Sequence, residues 1–164
     1  MRTIIGATRA RPSFTADLSG DVVATIAGHA TFSRSGPSGM VPALDLGLGL
    51  LGVQGAVLFT LSSDSRPARG SHRVTRRRDG RDRLRARVVL GPLERPLAEL
   101  RARSGRLTIV SATDRRITGR FVLSAVGERS REPLRVIIRG SFVARAATGS
   151  AQAALAVTAA YCRS

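Results

Sequence analysis

The stretch RDRLRARVVL, residues 81–90, decides the fold. Arg81, Arg83, Arg85 and Arg87 fall on every second residue, and Leu84, Ala86, Val88 and Leu90 fill the alternate places. Period two is the mark of a β-strand with one wet face and one buried face. The charge is therefore expected as a row of guanidinium groups on one side of a sheet, not as a basic tail. Upstream, His72, Arg73, Arg76, Arg77 and Arg78 continue the basic segment, with only Asp79 and Asp82 against them. Asp79-Gly80 is a strong tight-turn dipeptide, so residues 71–78 and 81–90 are expected to form a hairpin.

The same period recurs on both sides. Phe14, Ala16 and Leu18 share a face, Ser19-Gly20-Asp21 turns the chain, and Val22, Ala24, Ile26, Gly28, Ala30 and Phe32 point inward from the next strand. Residues 34–41, rich in Ser, Gly and Pro, read as a loop. Leu44, Leu46 and Leu48 share one face of a short strand, and Gly47, Gly49, Gly52 and Gly55 are expected to crowd the turn after it. Residues 56–61 form a compact apolar strand, and residues 65–71 another loop. Residues 106–111, 117–125 and 134–145 complete the set. On the last two, Ile117, Gly119, Phe121, Leu123 and Ala125 form one face, and Val136, Ile138, Gly140, Phe142 and Ala144 another. Residues 127–133 read as a charged loop. Residues 96–103 stay open: Leu, Ala and Glu favour a helix stopped by Gly105, while Leu100 and Ala102 alternate with Arg101 and Arg103 as in a strand.

Eight or nine short strands at near-regular spacing predict an all-β protein, an antiparallel barrel or sandwich. Inward glycines at positions 28, 119 and 140 mark strands that bend or pack closely, which favours the barrel. The expected organisation is an N-terminal extension over residues 1–12, a single β-domain over 13–146 and an Ala-rich tail over 147–164. Within the tail, residues 151–161 read either as a short helix packed on the domain or as an irregular end.

The 164 residues suit one domain with its own core, and an apolar content of 43% is enough to build it. Aromatics make up only 4%, so the core must come from Ala, Val, Leu, Ile and five Phe. Every one of the 27 basic residues is Arg. Codon pressure toward G and C accounts for Arg in place of Lys, but not for the excess over 11 acids that leaves a net charge of +16. Such a field attracts polyanions or anionic surfaces. No stretch reaches the roughly 18 apolar residues of a membrane helix.

Few residues suggest chemistry. Cys162 is the single cysteine, which excludes an internal disulfide and a multi-cysteine zinc site. His29 and His72 are the only histidines and have no cluster of Cys or carboxylates around them in sequence. Residues 47–52 match G-x-G-x-x-G, but β-like Ala56-Val57-Leu58-Phe59 follows where a dinucleotide site needs a helix, so no cofactor is expected. No G-x-S-x-G nucleophile motif is present, and a hydrolase is the remote reading.

The sharpest hypothesis is the arginine ladder. Alternate strand residues lie about 6.6 Å apart, so Arg81, Arg83, Arg85 and Arg87 would span about 20 Å. Guanidinium forks grip phosphate, sulfate or carboxylate at two points. Together with Arg76, Arg77 and Arg78, they are the candidate polyanion-binding set. Phe14, Phe32, Phe121 and Phe142 point into the core, leaving no stacking platform, so no base-specific recognition of nucleic acid is expected.

Residues 104–123, SGRLTIVSATDRRITGRFVL, followed by VIIRGSF at 136–142, resemble a pattern in small uncharacterised bacterial envelope proteins. In those proteins an S-G-x-L-x-I strand, a turn, I-x-G-x-F and a final G-x-F close a β-domain. Residues 14–32 are similar to their opening hairpin. The resemblance implies an all-β fold and export to the envelope, and no assigned activity. This chain departs from it at the N-terminus, MRTIIGATRARPSF, where the apolar run is too short for an export signal. The leading expectation is a non-enzymatic β-domain, exported or envelope-associated, acting as a binding or structural module. The alternative is an intracellular basic protein that binds polyanions, nucleic acid or an acidic polymer, without sequence preference.

Overall fold

The computed structural model describes residues 13–35, 44–63, 69–74 and 83–147. Nine strands follow in order: β1 (Phe14–Gly20), β2 (Ala24–Ser35), β3 (Leu44–Gly52), β4 (Gly55–Ser63), β5 (Gly70–Arg73), β6 (Arg83–Leu90), β7 (Ala98–Ala112), β8 (Arg116–Arg129) and β9 (Glu132–Ala146). Eight of them close an antiparallel barrel. β1, β2, β3, β4, β6, β7, β8 and β9 each pair with the next, and β9 returns to β1. The described residues contain no helix. Between barrel and sandwich, the β1–β9 pairing decides, because it leaves none of these eight strands with a free edge.

Two seams needed special closure. β1 is short, and beyond its first residue β2 and β9 meet directly in parallel, Thr31 beside Arg145 and Phe32 beside Ala146. Ser13 holds this branch point. Its N–H donates to the Gly28 carbonyl at 2.7 Å, its carbonyl accepts from the Val143 N–H at 2.7 Å, and its Oγ accepts from the Ala30 N–H at 2.7 Å. At the other seam, β6 pairs with only the first part of β7, Arg87 to Leu90 against Ala98 to Arg101. Where β6 departs, β5 takes its place and pairs Gly70–Arg73 with Arg106–Ile109. The long β7 follows the wall by two register shifts, between Ala102 and Ser104 and between Ile109 and Ser111. Bulges of this kind raise the local twist that closure needs.

The inward residues have the expected phase. Phe14, Ala16, Leu18, Ile26, Ala30, Phe32, Phe59, Phe121, Leu123, Ile138, Phe142 and Ala144 belong to one buried cluster. An eight-stranded barrel is just wide enough for side chains to fill it, and these fill it. Two inward glycines make room for rings. Gly119 pairs with Phe142 and Phe121 with Gly140 across β8 and β9. A Cβ at Gly119 would lie 2.8 Å from the Phe142 ring, and one at Gly140 would lie 2.5 Å from the Phe121 ring. Each phenyl lies over the glycine of the facing strand, the packing by which aromatics cover glycine kinks in curved sheets.

Local readings needed correction in three places, and a fourth, left open between helix and strand, is decided. Residues 71–78 and 81–90 do not form a simple hairpin: Val74 meets Leu84 in a parallel bridge, and β5 pairs with β7. Asp79-Gly80 lies outside the described residues. Gly47 and Gly49 are strand residues of β3, and the turn is Val53-Gln54 between the paired Gly52 and Gly55. Residues 98–103 are strand, with Gly105 inside β7 at φ 143°. The charged loop at 127–133 is a tight hairpin closed by Arg129 and Glu132, with Ser130 and Arg131 both at positive φ, the primed turn that suits strand twist. Two residues without glycine hid that turn from composition. The Ala-rich tail reading at 151–161 lies outside the described residues.

Candidate polyanion-binding face

Of the ladder residues, Arg85 is exposed on the outside of β6, as its strand phase requires. Arg83 opens the same strand. Arg87 is half-buried and forms an ion pair with Glu99 of β7. Arg76, Arg77, Arg78 and Arg81 lie outside the described residues. Of that ladder the described fold holds Arg83, Arg85 and Arg87, on alternate residues of β6.

What it displays is wider. Once residues 98–103 are strand, Arg101 stands directly opposite Arg87 of β6. Arg103 is the extra residue at the first register shift of β7 and is exposed. Arg106 follows on β7, opposite Arg73 of β5. β8 adds Arg116 and Arg120, and β9 adds Arg135, Arg139 and Arg145, all exposed. The outward positions of β1 to β4 whose side chains are described hold Thr, Ser, Ala, Gly, Leu, His29 and Asp17, and no Arg. The barrel is therefore two-sided, with an arginine face on β5 to β9.

Three arginine pairs sit directly across from one another: Arg87 with Arg101, Arg73 with Arg106, and Arg116 with Arg145. Like charges in directly opposed strand positions repel. Glu99 relieves the first pair. It also lines, with Arg87, Arg101, Arg103, Glu128 and Arg135, an open depression over Val126 and Leu134. Several acids are committed to structure. Asp17 accepts from the Thr25 Oγ1 at 2.7 Å, and Asp21 accepts from the Arg135 N–H at 2.7 Å. The first pins the β1–β2 hairpin, and the second ties its turn to β9.

Glu99→Gln is expected to strengthen binding to heparin or duplex DNA severalfold at low salt, because it frees Arg87 and removes one repelling charge. Its effect on stability should stay within about 1 kcal/mol, the usual range for a partly exposed pair. Titration at two ionic strengths, beside a urea melt, measures both.

The polarity of this wall is the reverse of a membrane-spanning barrel, which turns apolar side chains outward and polar ones inward. No helix long and apolar enough to cross a membrane occurs among the described residues. His29 is exposed on the outer face of β2, and His72 is half-buried on β5. Among the described residues, no group of three or more His, Cys, Asp or Glu comes together. Comparison with protein-family models, with curated proteins and with solved structures finds no match for this chain.

Proposed function

We propose that this barrel is a non-enzymatic binding module whose β5–β9 face takes polyanions by their charge and not by their sequence. The observation that carries the reading is the concentration of exposed arginines on adjacent strands, with Arg–Arg pairs directly opposed. A row of like charges costs stability when nothing neutralises it, and a bound phosphate or sulfate chain offsets that cost. Strands lie about 4.8 Å apart and alternate residues about 6.6 Å apart, so the face is a grid of cationic forks. The interior is taken up by apolar side chains, which leaves the outside as the place for a charged ligand. The phenyl rings are buried, so recognition runs through the ligand's charged backbone and not through stacked bases.

The test is a triple variant, Arg101→Ser with Arg103→Ser and Arg106→Ser, all exposed on β7 in the middle of the face. Binding to duplex DNA should weaken, and the slope of log affinity against log salt should fall by about 0.9 for each phosphate no longer neutralised. Stability should change by no more than about 0.5 kcal/mol per site. A control variant removes the same charge at Arg2, Arg9 and Arg163. If the control weakens binding as much as the β7 variant, the face is not a site and net charge alone attracts the ligand.

A further inference from the structure

Because the eight barrel strands alternate in direction, the turns that follow β1, β3, β6 and β8 all lie at one end. Three of these four turns are tipped with exposed apolar side chains. Val23 follows β1 and is 84% exposed, Val53 follows β3 and is 88% exposed, and Leu93 and Leu97 follow β6 at 41% and 61%. Among the described residues only Val110, Val122 and Ile137 are large, apolar and exposed elsewhere. The turn after β7, at the opposite end, is polar, with Thr113, Asp114 and Arg115 all exposed. Apolar residues scattered singly over a surface are ordinary, but a rim of them is not. Turns favour Gly, Asn, Asp and Ser. A Val in the two-residue turn Val53-Gln54 neither suits the backbone nor reaches the core.

The tips are held in place. The Gly91 N–H donates to the Gln54 carbonyl at 2.9 Å and ties the β6–β7 loop to the β3–β4 turn. Within that loop the Arg95 N–H donates to the Pro92 carbonyl at 3.1 Å, and the Leu97 N–H to the Leu90 carbonyl at 2.8 Å. Pro92 and Pro96 fix φ on either side. The Asp21 N–H donates to the Arg135 carbonyl at 3.0 Å and ties the β1–β2 turn to β9. Little conformational freedom is left to lose on docking. Turns two strands apart stand about 10 Å from one another, so the tips do not shelter each other. A protein partner needs a continuous, closely packed apolar patch, which separate tips do not make. A fluid bilayer closes around each tip singly. The charge agrees. Arg95 stands between Leu93 and Leu97, and Arg129 and Arg131 belong to the fourth turn, all exposed. Asp21, Glu94 and Glu132 balance these three on the rim, and the arginine wall below makes this end a match for an anionic surface. Arginine stems lie along apolar matter while their forks reach phosphate.

We propose that this end of the barrel docks on an anionic lipid bilayer, with Val23, Val53, Leu93 and Leu97 inserted among the headgroups. The barrel stands on the bilayer and does not span it. The attraction shares the wall charge of the polyanion reading, whereas the insertion rests on the rim alone. The probe is vesicles of equal parts phosphatidylcholine and phosphatidylglycerol. The full chain should sediment with them. Part of the affinity should survive about 1 M salt, where charges are screened beyond about 3 Å and apolar burial is not weakened. Val53→Ser with Leu93→Ser and Leu97→Ser should lower vesicle affinity at least about tenfold, because binding scales with the apolar area inserted. The same variant should bind duplex DNA unchanged. Leu97 packs close to Gly91, so Val23→Ser with Val53→Ser is the second variant, confined to the two most exposed tips. It should lose vesicle affinity too. The β7 triple arginine variant should lose low-salt attraction to vesicles and keep the salt-resistant part. If DNA binding proves independent of the wall while both rim variants lose vesicle binding, the polyanion reading fails and this one stands. Vesicle binding that is unchanged in both rim variants, or that vanishes entirely in high salt, would overturn the proposal. So would a native dimer that either rim variant converts to monomer, which assigns the tips to a second copy.

Discussion

Phe121→Ala is expected to destabilise the protein by about 3–5 kcal/mol, the range for removing a buried ring. The ring stands edge-on to Phe59, with centroids 5.1 Å apart and planes at 69°, and lies 6.4 Å from Phe142. It also covers Gly140. Its removal takes packing away from two aromatic neighbours and opens the space above a residue that has no side chain. Collapse is blocked because Phe142 is already committed over Gly119. Urea denaturation should show a lower midpoint with an unchanged slope. A midpoint that does not move would mean that β8 is out of phase by one residue, since such a slip turns every side chain to the other face.

Gly28→Val should cost a similar amount, about 3 kcal/mol or more, for the opposite reason. Gly28 faces inward where β2 passes β3, paired with Gly52, which pairs in turn with Gly55 of β4. A Cβ at Gly28 would overlap the Leu51 carbonyl oxygen and lie 2.7 Å from the Gly52 Cα. The obstacles are backbone, so no rotamer change relieves them and the strands must separate. Overpacking of this kind typically costs about 1–3 kcal/mol, and more where the neighbour cannot move. Ala27→Val is the matched control one residue earlier, on the exposed outer face. It should change stability by no more than about 0.5 kcal/mol. Thermal melts of the two variants side by side give the comparison. Equal losses would show that β2 tolerates no added bulk on either face and would refute the glycine argument.

The proposed polyanion-binding face draws on both levels of structure. Arg85 on the outside of β6 was legible from the alternation of RDRLRARVVL alone, because the neighbours of a strand residue fix its face. The partners of Arg87 were not legible. Glu99 and Arg101 lie on the stretch where helix formers and strand alternation balanced. The balance was broken by β6 on one side and β8 on the other, both of which offer backbone groups to β7. A signal was present in the alternation of Leu100 and Ala102 with Arg101 and Arg103. It lacked weight until the neighbouring strands were known.

Local alternation by itself determined that the chain is built of strands, which side chains enter the core, and that Gly28, Gly119 and Gly140 mark close passages. Those are properties of a residue and its near neighbours, governed by the pleat. Tertiary structure alone decided that β1 meets β9, that β5 joins β7 in place of an expected hairpin with β6, and that arginines from five strands share one wall. Each of these depends on which distant strand supplies the next row of hydrogen bonds. Period two specifies a residue's face and leaves that choice open, so closure of the barrel makes it.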